Sequence, residues 1–246
     1  MKSQVVYVTG ANGFIGQNLV EHLSSHGYEV YAMLRPGSIP SFSLLRNMRV
    51  VYADLTDKTS LVKTIPRGAV VINLAANPYH KTLSYTVNVD GTRNLVEASV
   101  RKRVTKFIQI SSQATKIQRQ GVYGKTKNAS DQIVREGQLD YVILKPSLVY
   151  GTGEKGLFNK IKSLAKILPF VPVFGDGKTR VYPIEVRDLA TIVARVIQDN
   201  KLDKNEFDVC CAEPVTYNDV YGAIFGANKS TQLLHVPVWI GLLLAK

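Results

Sequence analysis

The stretch VVYVTGANGFIG, residues 5–16, decides the fold. An apolar run that suits a buried strand is followed by three glycines, Gly10, Gly13 and Gly16, and then by a helical pattern. A strand, a tight glycine-rich turn and a helix N-terminus together suit the pyrophosphate of a dinucleotide. There the first glycine permits the turn, the second admits the phosphates and the third allows close helix–strand packing. The alternative is a tight turn with a purely structural role.

Apolar stretches alternate with helical patterns through the first 150 residues. The strands are predicted at Gln4–Thr9, Glu29–Leu34, Arg49–Asp54, Ala69–Ala75, Lys106–Ser111 and Tyr141–Pro146. The helices are predicted at 14–25, 59–65, 84–102 and 123–136. Strict alternation predicts right-handed crossovers and a parallel sheet covered on both faces, which is an α/β, doubly wound, Rossmann-type fold.

The pattern changes after Tyr150, where a glycine- and proline-rich passage leads into short mixed elements. Residues 1–150 are therefore expected to form a dinucleotide-binding domain. Residues 151–246 are expected to form mainly a small, shortened substrate cap, with 175–200 returning to the first domain.

The composition is that of a globular protein with a sizeable core, since 45% of the 246 residues are hydrophobic and 20% are charged. No apolar run of about 18 residues predicts a membrane span, and the chain enters a strand at once without the features of a secretory leader. Cys210 and Cys211 are adjacent, too close for an ordinary disulfide and poorly placed for a metal site. This favours a reducing, cytoplasmic setting and predicts no metal.

The formal net charge of +12 has three possible explanations. The charges belong to solvated helix faces, to a surface that attracts an anionic dinucleotide or phosphorylated substrate, or to a surface that binds nucleic acid or an anionic membrane. The sequence contains no RNA- or DNA-binding motif, so no nucleic-acid partner is predicted.

The glycine turn has the spacing TGxxGxxG, and further motifs follow it in order. They are YADLTD (52–57), VINLAAN (71–77), NVDGTRNLVEAS (88–99), FIQISS (107–112), YGKTK (123–127) and ILKPSLVYG (143–151). Together they resemble the extended branch of the short-chain dehydrogenase/reductase superfamily, whose members are NAD(P)-dependent epimerases, dehydratases and reductases. The resemblance covers residues 1 to about 190.

The resemblance implies hydride transfer at a carbinol or carbonyl carbon of a small-molecule substrate, for which a nucleotide sugar is one candidate, and it implies a homodimer. It also implies a set of cofactor-binding residues. These are Gly10, Asn12, Gly13, Phe14, Ile15, Gly16, Arg35, Asp54, Leu55, Leu74, Ala75, Ala76, Asn88, Ser111, Tyr123, Lys127 and Pro146.

The end of the second strand bears on which dinucleotide is bound. An acid at the tip of this strand would bind the ribose hydroxyls of NAD, whereas an Arg nearby accommodates the extra phosphate of NADP. The tip is Leu34-Arg35, and Glu29 lies at the opposite end of the strand. The sequence therefore favours NADP(H) over NAD(H), with a solvated loop role for Arg35 as the alternative.

Tyr123, Lys127 and Ser112 are the predicted catalytic residues. Positions i and i+4 of a helix share one face, so the Lys127 ammonium can lie beside the Tyr123 phenol and lower its pKa. Ser112 would polarise a substrate oxygen, with Ser111 as the alternative, and a serine at a strand end also often bonds the backbone instead.

Three features depart from the family: a short, basic segment between Ser112 and Tyr123, Lys145 where Arg is commoner, and the small cap. The short segment and the stretch 175–190 look like atypical relatives, including those related to a nucleotide-binding accessory subunit of respiratory complex I. The second hypothesis is therefore a catalytically weak or inactive NADPH-binding sensor or accessory subunit.

Overall fold

The structure is a computed structural model that describes residues 4–77, 80–154, 159, 163, 170–225 and 232–237. The chain forms two compact units. The first comprises Met1–Ser147 and Val186–Val209, and the second comprises Leu148–Glu185 and Cys210–Lys246.

Seven parallel strands form the sheet of the first unit. They are β1 (Val5–Thr9), β2 (Glu29–Leu34), β3 (Met48–Tyr52), β4 (Val70–Asn73), β5 (Lys106–Ile110), β6 (Tyr141–Pro146) and β11 (Asn205–Val209). Their order across the sheet is β3-β2-β1-β4-β5-β6-β11. The winding reverses between β1 and β4, where Thr9 pairs with Asn73 at the carboxyl ends of the two strands. Ligands bind at such a switch point in open α/β sheets.

Helices connect these strands. They are α1 (Phe14–Ser25), α2 (Lys58–Thr64), α3 (Lys81–Ser84), α4 (Gly91–Arg101), α5 (Val122–Glu136) and α6 (Val186–Gln198). Helix α1 packs against α6, and α4 packs against both α2 and α5. Tyr7, Val71 and Phe107 of the sheet share one buried core with Leu95 of α4 and Val134 of α5.

The predicted doubly wound fold is confirmed, and the bounds of β2, β6 and α1 are as predicted. The sequence does not predict β11, because this edge strand, NEFDV, is exposed at its first four residues and lacks an apolar run. Residues 186–209 belong to the first unit, whereas the segment predicted to return to it was 175–200.

The helix predicted over 84–102 is not one regular helix. A π-helical turn, Tyr85–Asp90, joins α3 to α4. The buried side chain of Asn88 makes three hydrogen bonds to residues outside the turn. Its Oδ1 accepts from Asn77 N at 2.8 Å, and its Nδ2 donates to Asn77 O at 3.2 Å and Thr126 Oγ1 at 3.0 Å. These tertiary bonds accompany a local geometry that the 3.6-residue repeat does not predict.

Within its described residues, the second unit contains three short strand pairs. Its elements are β7 (Val149–Tyr150), β8 (Phe170–Phe174), β9 (Arg180–Val181), β10 (Ile184–Glu185), β12 (Val215–Thr216), β13 (Gln232–Val236) and the helix α7 (Tyr217–Phe225). The pairs are β7 with β10, β8 with β13 and β9 with β12. Val171, Val173 and Tyr221 form its small core. Its role as a substrate cap stays a prediction, and part of the predicted 151–246 segment lies outside the described residues.

Candidate functional site

A cleft of about 380 Å³ opens at the carboxyl ends of β1, β2, β3 and β4. It lies at the switch point, and four connecting segments supply most of its walls. Its lining residues are Gly10, Ala11, Asn12, Gly13, Met33, Leu34, Arg35, Ser38, Asp54, Leu55, Leu74, Ala75, Ala76, Asn77 and Val87. Nine of the predicted cofactor-binding residues are therefore in the cleft lining. They are Gly10, Asn12, Gly13, Arg35, Asp54, Leu55, Leu74, Ala75 and Ala76.

The glycine turn is packed too closely for side chains. Gly10 has φ +68°, and a Cβ there would lie 2.8 Å from the backbone nitrogen of Ala75. A Cβ on Gly16 would lie 2.1 Å from the Gly10 carbonyl oxygen. Only glycine fits at these two positions without a backbone shift.

Helix α1 begins at this turn with its N-terminus open. Its N-cap, Gly13, provides no side-chain hydrogen bond, and the first turn contains no acidic residue. The first backbone N–H groups of a helix have no intrahelical acceptor, so those of Phe14 and Ile15 are available to an anion. With the cleft beside it, this turn fits the pyrophosphate of a dinucleotide.

Asn12 connects the glycine turn to the segment that follows β2. Its Nδ2 donates to Ile39 O at 2.8 Å, and its Oδ1 accepts from Ser41 N at 2.9 Å. The amide therefore holds the loop that borders the cleft, in addition to lining the cleft itself.

Arg35 and Ser38 are the first and last residues of one turn. Arg35 is a predicted cofactor-binding residue, whereas Ser38 was not predicted as one. Ser38 N donates to Arg35 O at 3.0 Å, and Gly37 between them has φ +80°. Pro at the second position and Gly at the third are typical of a type II turn, so the letters RPGS could have revealed Ser38. The turn brings a guanidinium and a hydroxyl to the same wall of the cleft.

A buried polar network supports the floor of the cleft. Thr9 Oγ1 donates to Asn73 Oδ1 at 2.7 Å and accepts from the backbone nitrogens of Leu74 and Ala75 at 3.2 and 3.3 Å. Asn73 Nδ2 donates to Thr92 Oγ1 and Gln109 Oε1. These bonds satisfy polar groups in the interior and fix the ends of β1 and β4 relative to each other.

Asp54 lines the cleft next to β3. Its Oδ1 accepts from the backbone nitrogen and the hydroxyl of Thr56, both at 2.8 Å, which orients the carboxylate. Asn88 is buried behind the cleft wall rather than in it, and Pro146 is buried at the end of β6.

Helix α5 carries the predicted catalytic pair. Lys127 is 2% exposed, and its Nζ donates to Ile110 O at 2.6 Å. Burial lowers the pKa of Lys127 to about 8, and the nearby Asp131 carboxylate opposes that shift. Tyr123 lies four residues earlier and is half-buried.

The two serines at the end of β5 make different bonds. Ser111 is buried, and its Oγ donates to Asp131 Oδ2 at 2.6 Å. Ser112 is half-buried and accepts from Ala114 N at 3.1 Å, which begins a short 3-10 turn (Gln113–Lys116). The Ser112 hydroxyl accepts this bond and can still donate its own hydrogen to a substrate. The Ser111 hydroxyl already uses its hydrogen in the bond to Asp131. Gly16, Phe14, Ile15, Asn88, Ser111, Tyr123, Lys127 and Pro146 lie outside the cleft lining.

Within the described residues, no group of three or more His, Cys, Asp or Glu side chains is placed to hold a metal ion. Over the same residues, no helix is long and apolar enough to cross a membrane.

The sheet, the glycine turn and the cleft define a Rossmann-type nucleotide-binding protein. The model of the NAD dependent epimerase/dehydratase family matches residues 6–210, so the chain belongs to that family. It is an oxidoreductase of the epimerase/dehydratase type that uses a nicotinamide cofactor.

Relatives and solved structures are consistent with this assignment. A ceramide reductase of Caulobacter vibrioides is 28% identical over 239 residues, which cover 95% of this chain and 74% of the relative. A mitochondrial NADH dehydrogenase alpha subcomplex subunit 9 of Arabidopsis thaliana is 25% identical over 80% of this chain, which spans half of that subunit. The structure of the dTDP-glucose 4,6-dehydratase DesIV from Streptomyces venezuelae, with NAD bound, superposes with a TM-score of 0.80 at 19% identity and covers 94% of this chain and 84% of its own.

Proposed function

We propose that this chain is an NADP(H)-dependent enzyme that exchanges hydride at a carbinol or carbonyl carbon, with Tyr123 as acid and base. The observation that carries the proposal is the buried ammonium of Lys127. It lies one helical turn from Tyr123 and is bonded to the end of β5, the strand that leads into Ser112. A buried lysine is costly, and the proposed action of its charge on the Tyr123 phenol is a reason for one.

Each side chain has a distinct part in the chemistry. A bound nicotinamide supplies or accepts the hydride. The Tyr123 hydroxyl gives a proton to the substrate oxygen during reduction and takes one during oxidation. The positive charge of Lys127 lowers the pKa of that phenol, and the Ser112 hydroxyl donates to the same substrate oxygen.

The preference for NADP(H) rests on the turn that carries Arg35 and Ser38. Arg35 is exposed at the cleft edge, and a guanidinium together with a hydroxyl suits a phosphate on the ribose. Asp54, which follows the next strand, would contact the adenine. NAD(H) is the competing cofactor.

The proposed substrate is a small carbonyl or hydroxyl compound, and the net positive charge favours an anionic one. A nucleotide sugar belongs to this class. We further propose a homodimer in a reducing, cytoplasmic setting.

Calorimetric titration with NADPH and NADH tests the cofactor part of the proposal. The wild-type chain is expected to bind NADPH more tightly, and Arg35→Ala is expected to weaken NADPH binding by about 10- to 100-fold while NADH binding changes little. Arg67→Ala is the control, since Arg67 is exposed in the turn before β4 and lies outside the cleft lining. Tighter NADH binding that Arg35→Ala leaves intact would overturn the NADP assignment.

The similarity to a respiratory-chain subunit supports a second candidate, an accessory protein that binds NADPH without turnover. A screen of carbonyl compounds with NADPH separates the two functions. Oxidation of NADPH that stops in Tyr123→Phe supports the enzyme, whereas tight binding without turnover of any compound supports the accessory role.

A further inference from the structure

The face of α5 that carries Tyr123 and Lys127 continues to a third ionisable group. Asp131 follows Lys127 by four residues and is fully buried. Its Oδ2 accepts from Ser111, while its Oδ1 has no hydrogen-bond partner among the described residues. A buried carboxylate with one unsatisfied oxygen costs stability, so its presence calls for another reason.

Two bonds attach α5 to consecutive residues at the end of β5. Lys127 Nζ donates to Ile110 O at 2.6 Å, and Ser111 Oγ donates to Asp131 Oδ2 at 2.6 Å. Ser112 is the next residue, and its backbone leaves the strand there for the 3-10 turn. The position of Ser112 relative to α5 therefore depends on both bonds.

Three cations act on Asp131, and one further carboxylate, Glu206, bonds two of them. Lys127 and Arg135 act on it from the same helix, and Lys145 acts on it from β6. Arg135 and Lys145 both also bond Glu206 of β11. Lys127 does not bond Glu206. The carboxylate whose charge favours the protonated form of Lys127 is Asp131.

We propose that Asp131 is a positioning residue that, through Ser111, fixes the strand end carrying Ser112 and supplies the negative charge that keeps Lys127 protonated inside the protein. This inference rests on the proposed function of Tyr123 and Lys127. It extends the reacting pair to a third residue that touches neither substrate nor cofactor.

Asp131→Asn tests the charge, because it removes the charge and keeps an acceptor for Ser111. The alkaline limb of the kcat profile for carbonyl reduction, where Tyr123 loses its proton, is expected to move up by about one pH unit, because Lys127 loses its proton earlier and no longer lowers the pKa of the phenol. The tyrosinate absorbance of Tyr123 is expected to appear at higher pH. Because the chain has 12 tyrosines, this signal is taken as the difference between each protein and its Tyr123→Phe version.

Glu136→Gln is the matched control, since it removes a carboxylate from the exposed face of the same helix. It is expected to leave both the kcat profile and the Tyr123 titration in place. An Asp131→Asn variant that titrates like the control would overturn the role of the charge.

Thermal melting separates this role from a purely structural one. Burial raises the pKa of Asp131, so ionisation of this carboxyl opposes folding at neutral pH, and removing the charge is not expected to destabilise the protein. The Asn variant is expected to melt within about 4 °C of wild type. A much lower melting temperature with an unmoved Tyr123 titration would make Asp131 structural and overturn the proposal.

Ser111→Ala tests the positioning separately, because it keeps the carboxylate and removes its hydrogen bond. It is expected to lower kcat about tenfold or more, with the cofactor KM and the alkaline limb unchanged. An unchanged kcat in Ser111→Ala would overturn the positioning role. This test applies even if the Asp131→Asn variant does not fold. The tyrosinate titration needs no substrate. If no compound were turned over, the proposed function would fail, but the titration would still measure the effect of Asp131 on Tyr123.

Discussion

The turn after β1 is the proposed phosphate-binding region and the junction of β5 with α5 is the proposed catalytic region, and the two are built by different means. The turn after β1 contains no charged side chain and presents backbone N–H groups, with glycines that let the chain approach itself closely. The junction is built from buried ionisable groups, Lys127 and Asp131, which bond the consecutive residues Ile110 and Ser111 where β5 ends.

The difference concerns what each region must recognise. A pyrophosphate carries a fixed charge, so fixed dipoles of the backbone suffice to bind it. Proton exchange at a substrate oxygen needs a group whose pKa has been moved, and that takes charges and burial. Substitutions should therefore damage the first region through shape and the second through charge.

The largest effect is expected from Tyr123→Phe, which removes the proposed proton donor and leaves the ring. We expect kcat to fall by about 10²- to 10⁴-fold, or roughly 3–5 kcal/mol, with the NADPH dissociation constant nearly unchanged. Steady-state kinetics and calorimetry check the two parts. Tyr52→Phe, at an exposed tyrosine, is the control and should behave as wild type.

Gly16→Ala breaks the first region by shape alone. Its Cβ would lie 2.1 Å from the Gly10 carbonyl oxygen, so the turn must shift, at a cost of about 3 kcal/mol or more. Urea unfolding and NADPH titration should both show the loss. Gly222→Ala is the control, because nothing lies within 4 Å of its Cβ position and alanine favours a helix. Equal stability of the two variants would refute the close-packing argument.

Asn73→Ala tests the polar floor between the two regions. It removes the partner of Thr9, Thr92 and Gln109 in the interior, and we expect a loss of about 2–3 kcal/mol in the free energy of unfolding. Asn205→Ala, at an exposed asparagine, should change the free energy of unfolding by less than about 0.5 kcal/mol. Similar values for both variants would mean that the network contributes nothing.

The smallest effect is expected from Glu206→Gln at the outer side of the charged region. The Arg135 guanidinium, assisted by Lys145, lowers the pKa of Glu206 to about 2 from 4.5. A lowered folded-state pKa adds stability above pH 4.5 that is lost as the pH falls towards 2. Because solvent screens this partly exposed pair, the variant should lose on the order of 1 kcal/mol at neutral pH and show a flatter acid limb. Unfolding curves at a series of pH values measure it, and an unchanged acid limb would contradict the expectation.

Much of the first region could be predicted from the sequence, because it depends on local features. The glycine spacing, the apolar run before it and the helical repeat after it lie within residues 5–25, and β1 and α1 are where they predict. The predicted fourth strand extended to Ala75, but β4 ends at Asn73 because Leu74 and Ala75 leave the sheet and donate to Thr9.

The second region was predicted only in part, because its residues act through neighbours distant in sequence. Tyr123 and Lys127 follow from their spacing, whereas the bond between Ser111 and Asp131 requires β5 and α5 to be packed together. Asp131 did leave a signal, since it continues the fourfold spacing of Tyr123 and Lys127 on a face that is buried. The π-helical turn at Asn88 left none, because its cause lies in Asn77 and Thr126.

The late position of β11 in the chain has a consequence for synthesis on the ribosome. Strand β6 is complete at Pro146, but its edge partner β11 is made only after the first segment of the second unit. During that interval the apolar strand YVILKP offers an unpaired edge, which is a template for aggregation. A nascent chain stalled before residue 205 should therefore depend on chaperones more than one released after Val209.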